Sequence, residues 1–161
     1  AIAQATLPWS AVLARPDAGV RPSPAVWSPL EYGCHVRDVC RLFDTRNDTG
    51  AAAAAPRLAA GETRTFDVSG RCGVPEAALS LTVNATVTGS AAAGELRLFP
   101  GNSVSPNPPA SALFYAAGRT RANNDTIRLA TDGTATLKVQ NVSAGSVHFI
   151  LDVSGYFLLA P

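Results

Sequence analysis

Residues Leu79 to Thr88 alternate without a break. Leu79, Leu81, Val83, Ala85 and Val87 are apolar, and Ser80, Thr82, Asn84, Thr86 and Thr88 fall between them. A period of two places every apolar side chain on one side of an extended chain, whereas a helix would scatter them around its axis. Thr82, Val83, Thr86 and Val87 are β-branched, which favours the extended form further. The stretch reads as a strand with one wet and one dry face. A dry face has to be covered by a second layer, so the rest of the chain must supply one.

Shorter runs of the same kind follow one another along the chain. They are residues 39–44; Thr63 to Val68, with Arg64, Phe66 and Val68 on one face; Glu95 to Phe99; and Ser111 to Tyr115. Next come one or two extended pieces within Arg121 to Ala130, with Ile127 and Leu129 facing in, then Ala135 to Val139 and Val147 to Val153. Gly, Pro, Asn and Asp separate them. Ser69 to Pro75 reads as a rigid turn, Asp132-Gly133 as a tight hairpin, and Asn141 to Ser146 as a further turn. The alanines Ala51 to Ala55 sit between Gly50 and Pro56 with no room for a helix and read as loop. The last strand is apolar on both faces at Phe149-Ile150-Leu151, which points to a central place in its sheet. Short strands at regular spacing with no helical pattern predict an all-β fold over residues 34–161: an antiparallel β-sandwich of Greek-key or jelly-roll type.

Residues 1–33 are different. Pro8, Pro16, Pro22, Pro24 and Pro29 exclude a long helix. Yet both tryptophans of the protein, Trp9 and Trp27, lie here with Leu7, Leu13, Val20, Val26 and Leu30. A disordered linker is poor in such residues. Leu7, Trp9, Ala11 and Leu13 alternate with Pro8, Ser10, Val12 and Ala14, the pattern of a short strand. Pro8 places that strand at an edge or starts it. The expected organisation is an extended N-terminal arm, 1–33, attached to the sandwich. Fully extended, it would reach roughly 100 Å.

Composition removes several functions. The 161 residues suffice for one domain with a core, and a net charge of +1 with 16% charged residues makes no electrostatic case for nucleic acid or an anionic membrane. No apolar run approaches the ~18 residues of a membrane span. Methionine is absent, so a processed product or an excerpt is expected, and Ala1 to Ala5 would suit the mature side of a signal-peptidase cut. Lys138 is the one lysine, and arginine supplies the remaining basic residues. The three cysteines Cys34, Cys40 and Cys72 favour an oxidising compartment; zinc is the other reading, with poor ligand spacing and only His35 nearby.

Catalytic signals are weak. His35 and His148 lie in different regions, and no nucleophile-elbow pattern occurs. Asp44 and Asp152 are candidates for an acid–base pair, but the reading preferred here has them accepting hydrogen bonds from Arg41, Arg46, Arg71 or backbone amides. No catalytic residue, cofactor or metal is assigned. Asn123-Asn124-Asp125 and Asp132-Gly133 offer oxygen ligands of the kind calcium uses, and turn chemistry accounts for them as well. Tyr32, Tyr115, Tyr156 and the two tryptophans are candidate sugar platforms, with Tyr156 and Phe157 assigned to core packing.

Six segments in order resemble a domain found in secreted bacterial proteins, often repeated or attached to larger exported chains. They are Cys40-Arg41-Leu42-Phe43-Asp44-Thr45-Arg46, Gly61-Glu62-Thr63-Arg64, Gly70-Arg71-Cys72-Gly73-Val74-Pro75, Leu81 to Val87, Arg119-Thr120-Arg121-Ala122-Asn123 and Ile150 to Phe157. The resemblance covers residues 40–157 and implies a bond between Cys40 and Cys72. Such a bond closes a loop of about 33 residues, worth roughly 3–4 kcal/mol in the chain-entropy model. Cys34 falls outside the resemblance and is a candidate intersubunit thiol.

These readings converge on a secreted, non-enzymatic structural subunit, extracellular or at the cell surface. It is expected to associate with copies of itself by laying its arm on a neighbour's sheet edge, with Leu7, Trp9, Leu13 and Trp27 as contacts. Burying Leu7, Trp9 and Leu13 would gain roughly 5–8 kcal/mol before the cost of ordering the arm. Head-to-tail repetition gives a filament or layer. The alternative is a carbohydrate-binding or adhesion module with surface glycans as partners. A weaker third reading is an accessory domain of a secreted hydrolase.

Overall fold

The computed structural model describes residues 14–24, 26, 28–29, 40–104 and 111–159. Eight strands run in chain order: β1 (Cys40–Asp44), β2 (Thr63–Asp67), β3 (Ser80–Thr88), β4 (Gly94–Pro100), β5 (Ser111–Tyr115), β6 (Arg121–Arg128), β7 (Thr136–Ser143) and β8 (His148–Phe157). They form two four-stranded sheets, ordered β1-β8-β3-β6 and β2-β7-β4-β5. First pairs with last, third with sixth, second with seventh and fourth with fifth. That nesting is what results when one long antiparallel hairpin is rolled up into two facing sheets, the jelly roll. The fold expected from the sequence is the fold observed.

The long alternating stretch becomes β3, held between β8 and β6. Its burial alternates strictly, with Leu81, Val83, Ala85 and Val87 in the core and the hydroxyl and amide residues half-exposed. β8 is also interior, between β1 and β3, and Phe149, Ile150, Leu151 and Val153 are all buried. From the second sheet Phe66, Leu96, Leu98, Leu137 and Val139 meet them. Phe66 lies between Phe43 and Phe149, with ring centroids 4.7 and 5.7 Å away in tilted contact.

Two local expectations change. Asp132-Gly133 does not close a hairpin: β6 pairs with β3 in one sheet, while β7 pairs with β2 and β4 in the other. The connection therefore carries the chain across the sandwich, with Gly133 and Ala135 in the left-handed region. Asp132 accepts from the amide and hydroxyl of Thr134, which shapes the turn. Nor does the chain turn at Asn141. β7 continues to Ser143, and Asn141 is completely buried. Its amide donates to the carbonyls of Ala59 and Gly145 at 2.8 and 2.9 Å and accepts from the Tyr115 hydroxyl at 2.5 Å. Every polar atom of that amide group is satisfied, so burial is tolerated. Beside it, Gly94 has no room for a side chain; a Cβ there would stand 2.5 Å from that of Ser143.

The chain divides into two compact units, Ala1–Cys40 and Arg41–Pro161. In the first, the described residues form tight turns, Ala18 donating to the Arg15 carbonyl and Val20 to that of Asp17, with an Arg15–Asp17 ion pair at 2.7 Å. The strand expected at Leu7–Leu13 lies outside the described residues.

Asn141→Ala removes partners from the part-buried carbonyls of Ala59 and Gly145 and from the buried Tyr115 hydroxyl. It is expected to lower stability by about 2–4 kcal/mol, and Tyr115→Phe by about 1–2 kcal/mol, in urea denaturation monitored by circular dichroism.

Candidate functional site

β1 ends in a carboxylate that is almost fully buried: Asp44 is 1% exposed. Arg46, two residues on, grips it with both arms of its guanidinium, Nε to Oδ1 at 2.8 Å and Nη2 to Oδ2 at 2.6 Å, and its backbone amide adds a third bond at 3.0 Å. Arg41 reaches Asp44 at 3.5 Å and spends its better contact on Asp152 of β8, Nε to Oδ1 at 2.9 Å. The Arg46 bond outweighs burial and holds the Asp44 carboxyl below its ordinary range. Asp44 and Asp152 thus accept from Arg41 and Arg46 rather than working as an acid–base pair. Arg71 does not join them. It lies over the Phe43 ring, 4.9 Å from the centroid, and donates to the Ala51 carbonyl.

Next to Asp44 stands an arrangement with the outline of a catalytic pair. The Thr45 hydroxyl is 3.2 Å from Nδ1 of His148, whose Nε2 is 3.0 Å from Nη2 of Arg57. Guanidinium only donates, so Nε2 must carry the lone pair and the neutral ring keeps its proton on Nδ1. Nδ1–H then donates to the Thr45 oxygen, which also accepts the Phe149 amide at 2.8 Å. A nucleophilic hydroxyl has to donate to its base, and here the polarity is reversed. Both ring nitrogens are committed, and Thr45 is buried. Burial, seconded by the Arg57 charge, pushes the His148 pKa down.

The same region carries the loop from β1 to β2, where Ala51 to Ala55 have no side-chain polar groups of their own. Arg64 supplies the donors, binding the carbonyls of Ala54, Pro56 and Arg57 at 2.9, 2.7 and 3.2 Å while Nε holds Glu62. A groove of about 540 Å³ runs along this loop, between Phe43, Phe66, Arg57, Arg64 and Arg71. Cys40 and Cys72 are both disulfide-bonded; with three cysteines in the chain, both can be bonded within it only to one another. Cys72 sits in the left-handed region between Arg71 and Gly73, with Gly70 and Gly73 left-handed as well, so the turn is tightly prescribed.

Outside this cluster, and apart from the single side chains Val20, Val26 and Val104, exposed apolar residues among those described gather in two places. Phe114 on β5 is 70% exposed and borders a shallow groove of about 550 Å³ with Ala93, Tyr115, Val142, Glu95 and Arg121. At the far end of β8, Tyr156, Phe157, Leu158 and Leu159 are exposed in succession, with Leu79 beside them. The assignment of Tyr156 and Phe157 to the core is therefore corrected: they are 44% and 54% exposed, because the strand runs on past the inner face of the facing sheet. Tyr115 is buried against Asn141 and is no sugar platform. Asn123, Asn124 and Asp125 follow one another in β6, so their side chains alternate between faces and do not converge on an ion; Asn123 donates across to the Ala112 carbonyl of β5. Among the described residues no group of three His, Cys, Asp or Glu could hold a metal, and no helix is long and apolar enough to cross a membrane. Leu7, Trp9, Leu13, Trp27, Tyr32 and Cys34 lie outside the described residues.

No family model matches the sequence, and no curated protein does. Among solved structures, the chain is similar to the Tobacco streak virus coat protein dimer, at 14% identity and a TM-score of 0.41, over 67% of this chain and 85% of that one. It is similar to a second structure of the Tobacco streak virus coat protein at 14% identity and a TM-score of 0.36, with the same coverage.

Two consequences for stability follow from the cluster. Asp44→Asn is expected to cost about 2–3 kcal/mol in urea denaturation, as charge-assisted bonds are lost. The folded ring of His148 resists protonation while the unfolded one accepts a proton near its ordinary 6.5. Stability is therefore full above that value and declines as pH falls from it toward the lower folded value. His148→Gln should flatten the urea midpoint between pH 7 and 5, whereas the wild-type midpoint falls. Asp44 acts in a lower window, its contribution being lost as pH drops through its ordinary 3.8 toward the depressed folded value.

Proposed function

We propose that this chain is a non-enzymatic structural subunit that associates with copies of itself. Residues 1–33 add to a sheet edge of a neighbouring sandwich, and head-to-tail repetition builds a filament or surface layer outside the cell. The observation that carries the reading is the run of exposed apolar residues, Tyr156 to Leu159, at one end of a small sandwich. A contiguous apolar surface on a monomer marks a place where something docks. The groups with the outline of chemistry, Thr45, His148, Asp44 and Asp152, are consumed in internal hydrogen bonds, which supports a non-catalytic role. The oxidised state of Cys40 and Cys72 supports an extracellular setting.

The alternative, a carbohydrate-binding or adhesion module, draws on Phe114. An exposed ring between Glu95 and Arg121 is a surface on which a sugar can stack and hydrogen-bond.

Deletion of residues 1–33 separates the two. Under the leading reading, electron microscopy and sedimentation show assemblies of the full chain and none of the truncated one, while circular dichroism shows the sandwich still folded. Trp9→Ala should raise the concentration needed for assembly at least tenfold. An unchanged oligomeric state after deletion, together with glycan binding lost in Phe114→Ala, would replace this reading with the alternative.

A further inference from the structure

Beside the start of β8 stands a cation without a counter-ion. Leu58 and Val147 exchange both backbone hydrogen bonds, at 2.9 and 3.0 Å, and both side chains are fully buried. In such a pair the residues on either side point the other way, outward. Arg57 therefore stands on the surface over Ser146 and His148. Its Nη1 is 3.2 Å from the Ser146 oxygen and its Nη2 is 3.0 Å from Nε2 of His148. Arg41, Arg46 and Arg64 have their charges met by Asp44, Asp152 and Glu62. Among the described residues no carboxylate lies within ion-pair distance of Arg57. Gly89 keeps the approach clear: a Cβ there would stand 3.4 Å from Cδ2 of His148 and 4.0 Å from Nη2 of Arg57.

The three side chains have donors to spare. Arg57 uses two of its N–H groups on its neighbours, and the others have no acceptor within the protein. The Ser146 hydroxyl accepts from Arg57 and keeps its own proton to give. His148 donates from Nδ1 to Thr45 in either charge state, so protonation alters its Nε2 side alone. There an acceptor becomes a donor, and two cations are left in contact. The charged groups that face the ring are Arg57, Arg46 and Asp44, and Asp44 is already bound by Arg46. A guanidinium, an imidazolium and a hydroxyl turned to one point lack only a negative charge between them.

We propose that Arg57, His148 and Ser146 form a site for a small oxyanion, the carboxylate, sulfate or phosphate group of a ligand, taken up together with a proton on Nε2 of His148. The site does not depend on how copies of the chain associate. Without the anion, burial and then the Arg57 charge hold the ring's pKa below its ordinary 6.5, so at neutral pH the ring is uncharged and accepts from Arg57. The anion cancels the repulsion between the two cations, and the proton supplies a second charged donor. Each therefore promotes the other, and affinity for the anion rises as pH falls through the folded pKa of the ring. Arg71 is a poorer centre for such a site. It lies over the Phe43 ring and donates to the Ala51 carbonyl, with no second cation or titrating group among its contacts.

The test follows the ring of His148 by NMR as pH is varied, in the full chain with ¹³C-labelled histidine, the signal being assigned by its loss in His148→Gln. Sodium sulfate and sodium acetate are compared separately with sodium chloride at constant ionic strength. At saturation the binding ion should raise the midpoint of the ring by about one pH unit, and its affinity should tighten by up to about tenfold from about pH 7.5 to 5.5. A response to sulfate alone assigns the site to sulfate or phosphate groups, and a response to acetate assigns it to carboxylates. Arg57→Gln should remove the effect, and Arg57→Lys, which keeps the charge and loses the fork, should keep part of it. Midpoints in sulfate and acetate equal to that in chloride overturn the proposal, and this comparison needs no variant to fold. A shift that persists undiminished in Arg57→Gln, shown folded by circular dichroism, overturns it as well.

Discussion

A carboxylate taken out of water is costly unless charge and hydrogen bonds replace what water gave it, and Asp44 is 1% exposed. Arg46 and Arg41 make that replacement, and the way they do it holds the roll closed at one edge. Arg46 is local and fixes the direction in which the chain leaves β1. Arg41 is not: its main partner, Asp152, lies 111 residues on, in the strand that β1 flanks. A five-residue edge strand has few ladder bonds to keep it in place. The Asp44–Arg41–Asp152 chain of charges supplements that ladder. Thr45 extends it, its amide and hydroxyl both bonded to Phe149 where β1 itself has ended.

The neighbouring groups show why a list of residue types is a poor guide to chemistry. Threonine, histidine, two aspartates and five arginines within one corner would suit several reaction classes. Counting donors and acceptors decides otherwise. Arg57 fixes the lone pair of His148 on Nε2, the proton then faces Thr45, and the hydroxyl is left accepting twice. Arg64 and Arg71 are spent on carbonyls of an alanine loop that cannot satisfy itself. Residues 40–46, 61–64, 70–75 and 150–157 all contribute to this corner, and what they share is closure of the roll.

The strands were legible because alternation is a local property. β3, β4, β5 and β8 appear nearly where the pattern puts them, and the interior place of β8 followed from its two apolar faces. What failed depended on distant partners. Asn141 has the look of a turn residue, and nothing near it reveals that Ala59, 82 positions earlier, and Tyr115, 26 positions earlier, satisfy its amide. Asp132-Gly133 marks a turn correctly, but whether the flanking strands pair with each other or with others is a matter of topology. Tyr156 and Phe157 end an otherwise buried strand, and the pattern has no information on where the facing sheet stops. Arg41 and Arg46 were readable as partners of Asp44 and Asp152 because opposite charges at strand ends have few other uses.

Edges are the recurrent hazard of a sandwich, and here most are protected. β6 is exposed along nearly its whole length, yet it carries Arg121, Asp125 and Arg128 and lends Asn123 to a carbonyl of β5. β2 presents Arg64 and Asp67. β1 is short and flanked by its ion pairs. Charges, brevity and side-chain caps are the usual means by which a sheet discourages further pairing. Two described stretches lack such charges: β5, an edge strand with Phe114 exposed, and the exposed apolar run from Tyr156 to Leu159. Among the described residues these uncharged, exposed stretches are the parts of the sandwich least protected against further pairing, and charge placed elsewhere marks where pairing is discouraged.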